Sequence, residues 1–96
     1  MVPVYRLYHG GIKRHLFTMN RTEVTTLQNR GWANEGIVFR AYTSQWLGLR
    51  RAVFRLYHEG ARKHYLTGGV SERDALMRSG WRYEGITFYV DRIINI

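Results

Sequence analysis

The side chains with acid–base or ligating capacity come in matched pairs. His9 and His15 recur as His58 and His64, and Glu35 recurs as Glu84. A histidine beside a carboxylate or a second histidine can shuttle protons or ligate a metal. One reading is therefore a His-His-Glu zinc site in each half of the chain. The spacing matches no zinc signature and there is no HExxH, so no metal or cofactor is expected. A second reading hydrogen-bonds His15 and His64 to backbone or to Glu35 and Glu84. A third puts the histidines against a ligand.

Arg6 and Arg55 are flanked by aromatic neighbours, among them Tyr8 and Tyr57. Two readings stay open here as well. The arginines present a guanidinium beside a ring to an anion or sugar, or they pair with Glu35 and Glu84, stems flat on a ring. Trp32 and Trp81, with Tyr83, complete the aromatic candidates, because Trp and Tyr suit partly wet contacts. Catalysis is not expected. There is no Cys nucleophile and no G-x-S-x-G elbow. Asp74 and Asp91 have Thr25 and Tyr42 at the matching positions, so no Asp–Glu pair repeats.

The elements that must position these residues follow from a duplication. Shifting the chain by 49 residues aligns Val4–Phe39 with Val53–Phe88 without a gap. Each copy predicts strand, strand, helix, strand. The first strands are Val4–His9 and Val53–His58, rich in aromatic and branched residues. A turn at Gly10-Gly11 or Glu59-Gly60 leads to second strands at His15–Thr18 and His64–Thr67. Thr22 and Ser71 are the expected helix N-caps, with Glu23 and Glu72 in the first turn. Leu27 and Leu76 are the expected core anchors, with Val24 and Ala75 before them. Gly31 and Gly80 end the helices, and Trp32 and Trp81 cover those ends. The last strands are expected at Ile37–Tyr42 and Ile86–Val90, entered by a sharp turn at the Glu-Gly step. The fold class is α+β: two tandem ββαβ repeats forming one compact domain with antiparallel sheet and two short helices. Residues 1–42 make unit 1, 43–51 a connector and 52–96 unit 2. Trp46 and Leu47 are expected to pack across the unit boundary or into a neighbouring subunit. Ile93, Ile94 and Ile96 need cover from the first unit or a partner chain.

The formal charge of +8 is shared evenly. Residues 1–48 hold six Lys/Arg against two acids, and 49–96 hold nine against five. A polyanionic partner fits this balance: nucleic acid, an anionic wall polymer or an acidic membrane surface. The absence of cysteine excludes disulfides and thiolate metal sites. No apolar run approaches the ~18 residues of a membrane span, so membrane insertion is not expected. The first residues read as a strand rather than a signal peptide.

The wording "PVYRLYHGGIKRHLFT", a short helix, then "GWANEGIVF" resembles a family of short aromatic repeats. Such repeats occur, often in tandem, at the ends of secreted Gram-positive hydrolases and phage endolysins, where they are thought to attach the enzyme to the cell wall. By position the family's motifs fall on Tyr5-Arg6-Leu7-Tyr8 and Phe54-Arg55-Leu56-Tyr57, on His15 and His64, and on Trp32, Glu35, Gly36 and Trp81, Glu84, Gly85. Two departures stand out. The family's frequent asparagine-proline turn is His9-Gly10 and His58-Glu59 here, and Gly68-Gly69 replaces the more usual serine or threonine. The resemblance implies a noncatalytic module binding peptidoglycan or teichoic acid, and a homo-oligomer that assembles around a full-length endolysin. It implies synthesis in the host cytoplasm and action at the wall after release. Met1 would then be either an internal translation start or an artificial boundary of the chain. A small nucleic-acid-binding protein and an oligomerisation scaffold are the alternatives.

Overall fold

A computed structural model describes residues 1–46 and 48–91. It is an α+β arrangement of two ββαβ units. The elements are β1 (Val2–His9), β2 (Arg14–Thr18), α1 (Arg21–Gln28), β3 (Ala33–Ala41), β4 (Arg50–His58), β5 (Lys63–Thr67), α2 (Val70–Arg78) and β6 (Arg82–Asp91). Each unit makes its own antiparallel sheet of three strands, in the order β2-β1-β3 and β5-β4-β6. The first strand of each repeat is thus central, and the last returns beside it.

In unit 1 the helix covers one face of the sheet. Leu7, Leu16 and Val24 are buried together, with Tyr5, Leu27 and Trp32 packed against them. Alternation along β1 sends Tyr5, Leu7 and His9 to this face and Arg6 and Tyr8 to the other. Unit 2 repeats the layout, with Phe54 and Leu56 buried on the helix side. A helix of this length is not stable alone, so packing on the sheet holds it in place, through buried Val24 in α1 and through half-buried residues only in α2. Full burial of Leu7 or Leu56 is worth roughly 1.5–3 kcal/mol.

Both helices start before the expected Thr22 and Ser71. The N-cap of α1 is Asn20, whose side chain accepts from Glu23 N–H at 3.1 Å. Gly69 holds the matching place in α2 and offers no side-chain bond. Thr67 Oγ1 accepts from Gly69 N–H instead, and the Thr67 hydroxyl also donates to Glu72. The helices close as expected at Gly31 and Gly80. Trp32 N–H reaches Leu27 O and Trp81 N–H reaches Leu76 O, both at 3.0 Å. Ala75 is exposed rather than core, and the register places Arg73 where unit 1 has Val24.

The last strands also begin earlier than expected. β3 and β6 run through the Glu-Gly step, so no turn separates the tryptophan from the strand. The step is instead a β-bulge. Leu7 pairs with Asn34 and Tyr5 with Ile37, so Glu35 and Gly36 both face Arg6. In unit 2 Leu56 pairs with Tyr83 and Arg55 with Gly85, leaving Glu84 as the extra residue. Gly36 and Gly85 adopt φ of 94° and 106°, where a side chain is strained and glycine is not.

The two units span Met1–Ala41 and Tyr42–Ile96. Tyr42 exchanges both backbone hydrogen bonds with Tyr89, each 2.9 Å, so it belongs to unit 2 rather than unit 1. The last two residues of the expected connector, Arg50 and Arg51, belong to β4. Trp46 is exposed, with the Arg50 guanidinium 5.0 Å from its ring. Leu47 and the isoleucines at 93, 94 and 96 lie outside the described residues. Among the described residues no helix is long and apolar enough to cross a membrane.

Candidate functional site

The bulge turns Glu35 toward the helix-free face of unit 1. Its Oε1 accepts from Arg6 Nε at 2.7 Å and lies 3.5 Å from His15 Nε2. Arg6 comes from the central strand and His15 from β2, where His15 pairs directly with Tyr8. The Tyr8 and His15 rings lie 4.7 Å apart. An arginine, a carboxylate, an imidazole and a phenol therefore converge from all three strands of one sheet.

Unit 2 builds the same cluster. Arg55 Nε donates to Glu84 Oε1 at 3.0 Å, and His64 Nε2 is 3.2 Å from that oxygen. Tyr57 lies 4.6 Å from the His64 ring. A further cation joins here: Arg82 Nη2 sits 3.6 Å from Glu84 Oε2, where unit 1 has Ala33. Glu84 is exposed as a residue because its bulged backbone faces water, but its carboxylate is drawn inward.

The two copies differ in access. The side chains of Arg6, Glu35 and His15 are 42%, 32% and 47% exposed, against 16%, 20% and 16% for Arg55, Glu84 and His64. Unit 1 offers the open version. There Arg6 uses Nε internally, and its terminal nitrogens have no hydrogen-bond partner among the described residues. Phe17 and Phe39, 6.4 Å apart, extend the aromatic row beyond Tyr8.

The remaining candidates lie on the other face. His9 Nδ1 accepts from the N–H groups of Gly11 (3.1 Å) and Ile12 (3.3 Å), and its ring stands edge-on to Trp32 at 5.3 Å. His58 does likewise with Ala61 N–H and with Trp81, 5.1 Å away. A side chain at Gly11 would press on the His9 ring at 2.9 Å, so the loop approaches closely only because that residue is glycine. Tyr83 packs edge-on against Phe54. His9, Trp32, His58, Trp81 and Tyr83 thus tie hairpin, helix end and sheet together. His9 and His15 fall on opposite faces, so the His-His-Glu zinc arrangement does not assemble. Among the described residues no group of three or more His, Cys, Asp or Glu side chains is placed to hold a metal.

Sequence reasoning missed Arg82 and Phe17. The repeat comparison held the signal for the first, since Arg82 and Ala33 differ at matched positions. Phe17 was hidden because its importance depends on cross-strand register, which pairs it with Arg6.

A family model matches residues 1–91, under the description Domain of unknown function (DUF5648). The chain belongs to this family. No curated protein and no solved structure matches it significantly. The duplicated cluster is therefore a feature of a DUF5648 chain whose chemistry has to be argued from its own residues.

Proposed function

We propose that this DUF5648 chain is a noncatalytic cell-wall-binding module, of the kind carried by phage endolysins and similar peptidoglycan hydrolases. The observation that carries the reading is the repeated Arg–Glu–His cluster beside a tyrosine ring, on the helix-free face of each sheet. Such a surface suits a saccharide with anionic groups. Ring faces stack on sugar, and guanidinium groups meet phosphate or carboxylate in fixed geometry. The carboxylate holds the arginine and orients the imidazole, so the donors are arranged before the ligand arrives. The charge of +8 draws the chain to an anionic wall polymer such as teichoic acid.

The test is sedimentation of the chain with purified Gram-positive walls, with and without teichoic acid, and with duplex DNA as competitor. Retention on walls at moderate salt, lost in Arg6→Ala and Tyr8→Ala, supports the module. Binding to DNA alone, falling steeply with salt, would instead favour a nucleic-acid-binding protein. Binding to neither leaves the scaffold reading.

A further inference from the structure

The repeats are not equivalent on their helix sides. Unit 1 has a groove of about 160 Å³ lined by Tyr5, Arg21, Val24, Thr25, Gln28 and Asn34. The matching residues of unit 2 are Phe54, Val70, Arg73, Asp74, Met77 and Tyr83. There Arg73 lays its guanidinium over Phe54 at 4.7 Å and Tyr83 at 5.3 Å, and pairs with Asp74 at 3.1 Å. Phe54 is buried in consequence, whereas Tyr5 stays only half-buried. Unit 2 fills with its own side chain the place that unit 1 leaves open.

The lining of the open groove states what it accepts. Unit 2 holds a cation there, with a carboxylate to match it. Unit 1 has no acid in the lining, and its only charge is Arg21. Asn34 Oδ1 is committed to Gly36 N–H at 2.9 Å, which leaves the Asn34 NH₂ as a donor. The side chains of Arg21 and Gln28 have no hydrogen-bond partner among the described residues. An aromatic flank, a guanidinium and two amides favour a ring with an acidic group over a cation. The groove is well below the ~300 Å³ of a drug-sized ligand pocket, so it takes one ring rather than a chain of them.

We propose that this groove binds a single sugar ring carrying a carboxylate or a phosphate, and that unit 2 has no such site because Arg73 occupies it. The ring face lies on Tyr5, the acid meets Arg21, and ring or acyl oxygens accept from Gln28 and Asn34. The choice of a sugar rests on the wall-polymer reading; the location and the sign of the charge do not.

The test is an amide-resolved NMR titration of the full chain with N-acetylmuramic acid, glucose 1-phosphate and neutral N-acetylglucosamine. Saturable shifts are expected at Tyr5, Arg21, Gln28 and Asn34, with Phe54, Met77 and Tyr83 unmoved. An acidic sugar should bind about tenfold tighter than the neutral one, and Arg21→Ala should erase that preference. Gln28→Met, which installs the unit 2 residue on an exposed helix face, should weaken all three probes without disturbing the fold. The carboxylate and phosphate probes separate a peptidoglycan source from a teichoic one, and tighter binding of either supports the site. Equal shifts in both units, shifts confined to the helix-free faces, or equal affinity for the neutral sugar would overturn it. Walls that sediment the chain while the groove stays silent defeat this inference alone. A responsive groove in a chain that walls do not retain defeats the wall-binding reading alone.

Discussion

Glu35 and Glu84 make the same bonds in different surroundings, and that difference sets what each is worth. The Arg6–Glu35 pair is largely solvated, and such pairs contribute ~0–1 kcal/mol. Glu84 lies between the side chains of Arg55 and His64 with far less water, and Arg82 reaches its second oxygen from the surface, so removing its charge weakens the pairing of a largely covered guanidinium. Glu35→Gln should therefore cost under about 1 kcal/mol in denaturant unfolding, and Glu84→Gln about 1–3 kcal/mol. Equal losses would mean that the exposure difference is not what governs the pair. The histidines separate by the same logic. His9→Ala removes the acceptor of two loop N–H groups, which water can partly replace, and should lower stability by about 0.5–1.5 kcal/mol, with faster hydrogen exchange at Gly11 and Ile12. His15→Ala should barely move stability, because His15 is about half exposed, yet should weaken wall retention. If instead His9→Ala alone reduced retention at full stability, the helix-side histidine would be the ligand contact.

At the scale of elements, the bulge joins fold to site. It inserts one residue opposite Arg6 or Arg55 and so redirects the glutamate. Nothing lies within 4 Å of a side chain placed on Gly36 or Gly85, so only their positive φ resists substitution. Gly36→Ala should cost about 1–2 kcal/mol, or flatten the bulge and pull Glu35 off Arg6. Wall retention after correction for unfolded protein tells these apart: strain alone leaves it intact, and a lost bulge removes it. This element also shows where sequence reading stopped. The duplication carried the succession of elements and the helix C-termini, because side-chain identity repeated at one offset, and it left the glutamate–arginine pairing as one of two open readings. It did not carry the bulge, since "NEG" and "YEG" read equally well as a turn before a strand. The N-cap moved to Asn20 because its side chain reaches Glu23 N–H, a bond that composition leaves open between Asn20 and Thr22. The separation of His9 from His15 is set by strand alternation across a hairpin, whose loop spans residues 10–13, and its register had to be seen.

For the molecule as a whole, under the proposed wall-binding reading, one open cluster and one half-covered cluster would bind weakly, and attachment would then depend on copy number. Linking weak sites raises avidity by ~10²–10⁴ without any new contact. The surface of unit 1 has the means to associate: Ile37, Val38 and Phe39 on β3 are 51%, 37% and 39% exposed. β3 is also an edge strand, but its two register shifts break the regular row of backbone groups that another strand would need. Association should therefore proceed through these apolar side chains rather than by sheet extension. Ile37→Lys puts a charge on the most exposed of these three side chains and removes nothing from the buried core. It should lower the sedimentation-velocity mass to that of the 11.4 kDa chain and reduce wall retention about a hundredfold. The sugar-induced NMR shifts at Arg21 and Gln28 should persist, although the amide of Tyr5, the strand partner of Ile37, is expected to move with the substitution itself. A native chain that already sediments as a monomer at micromolar concentration, or an Ile37→Lys variant with undiminished retention, would show that the wall is held by single copies and that the exposed β3 patch serves something else.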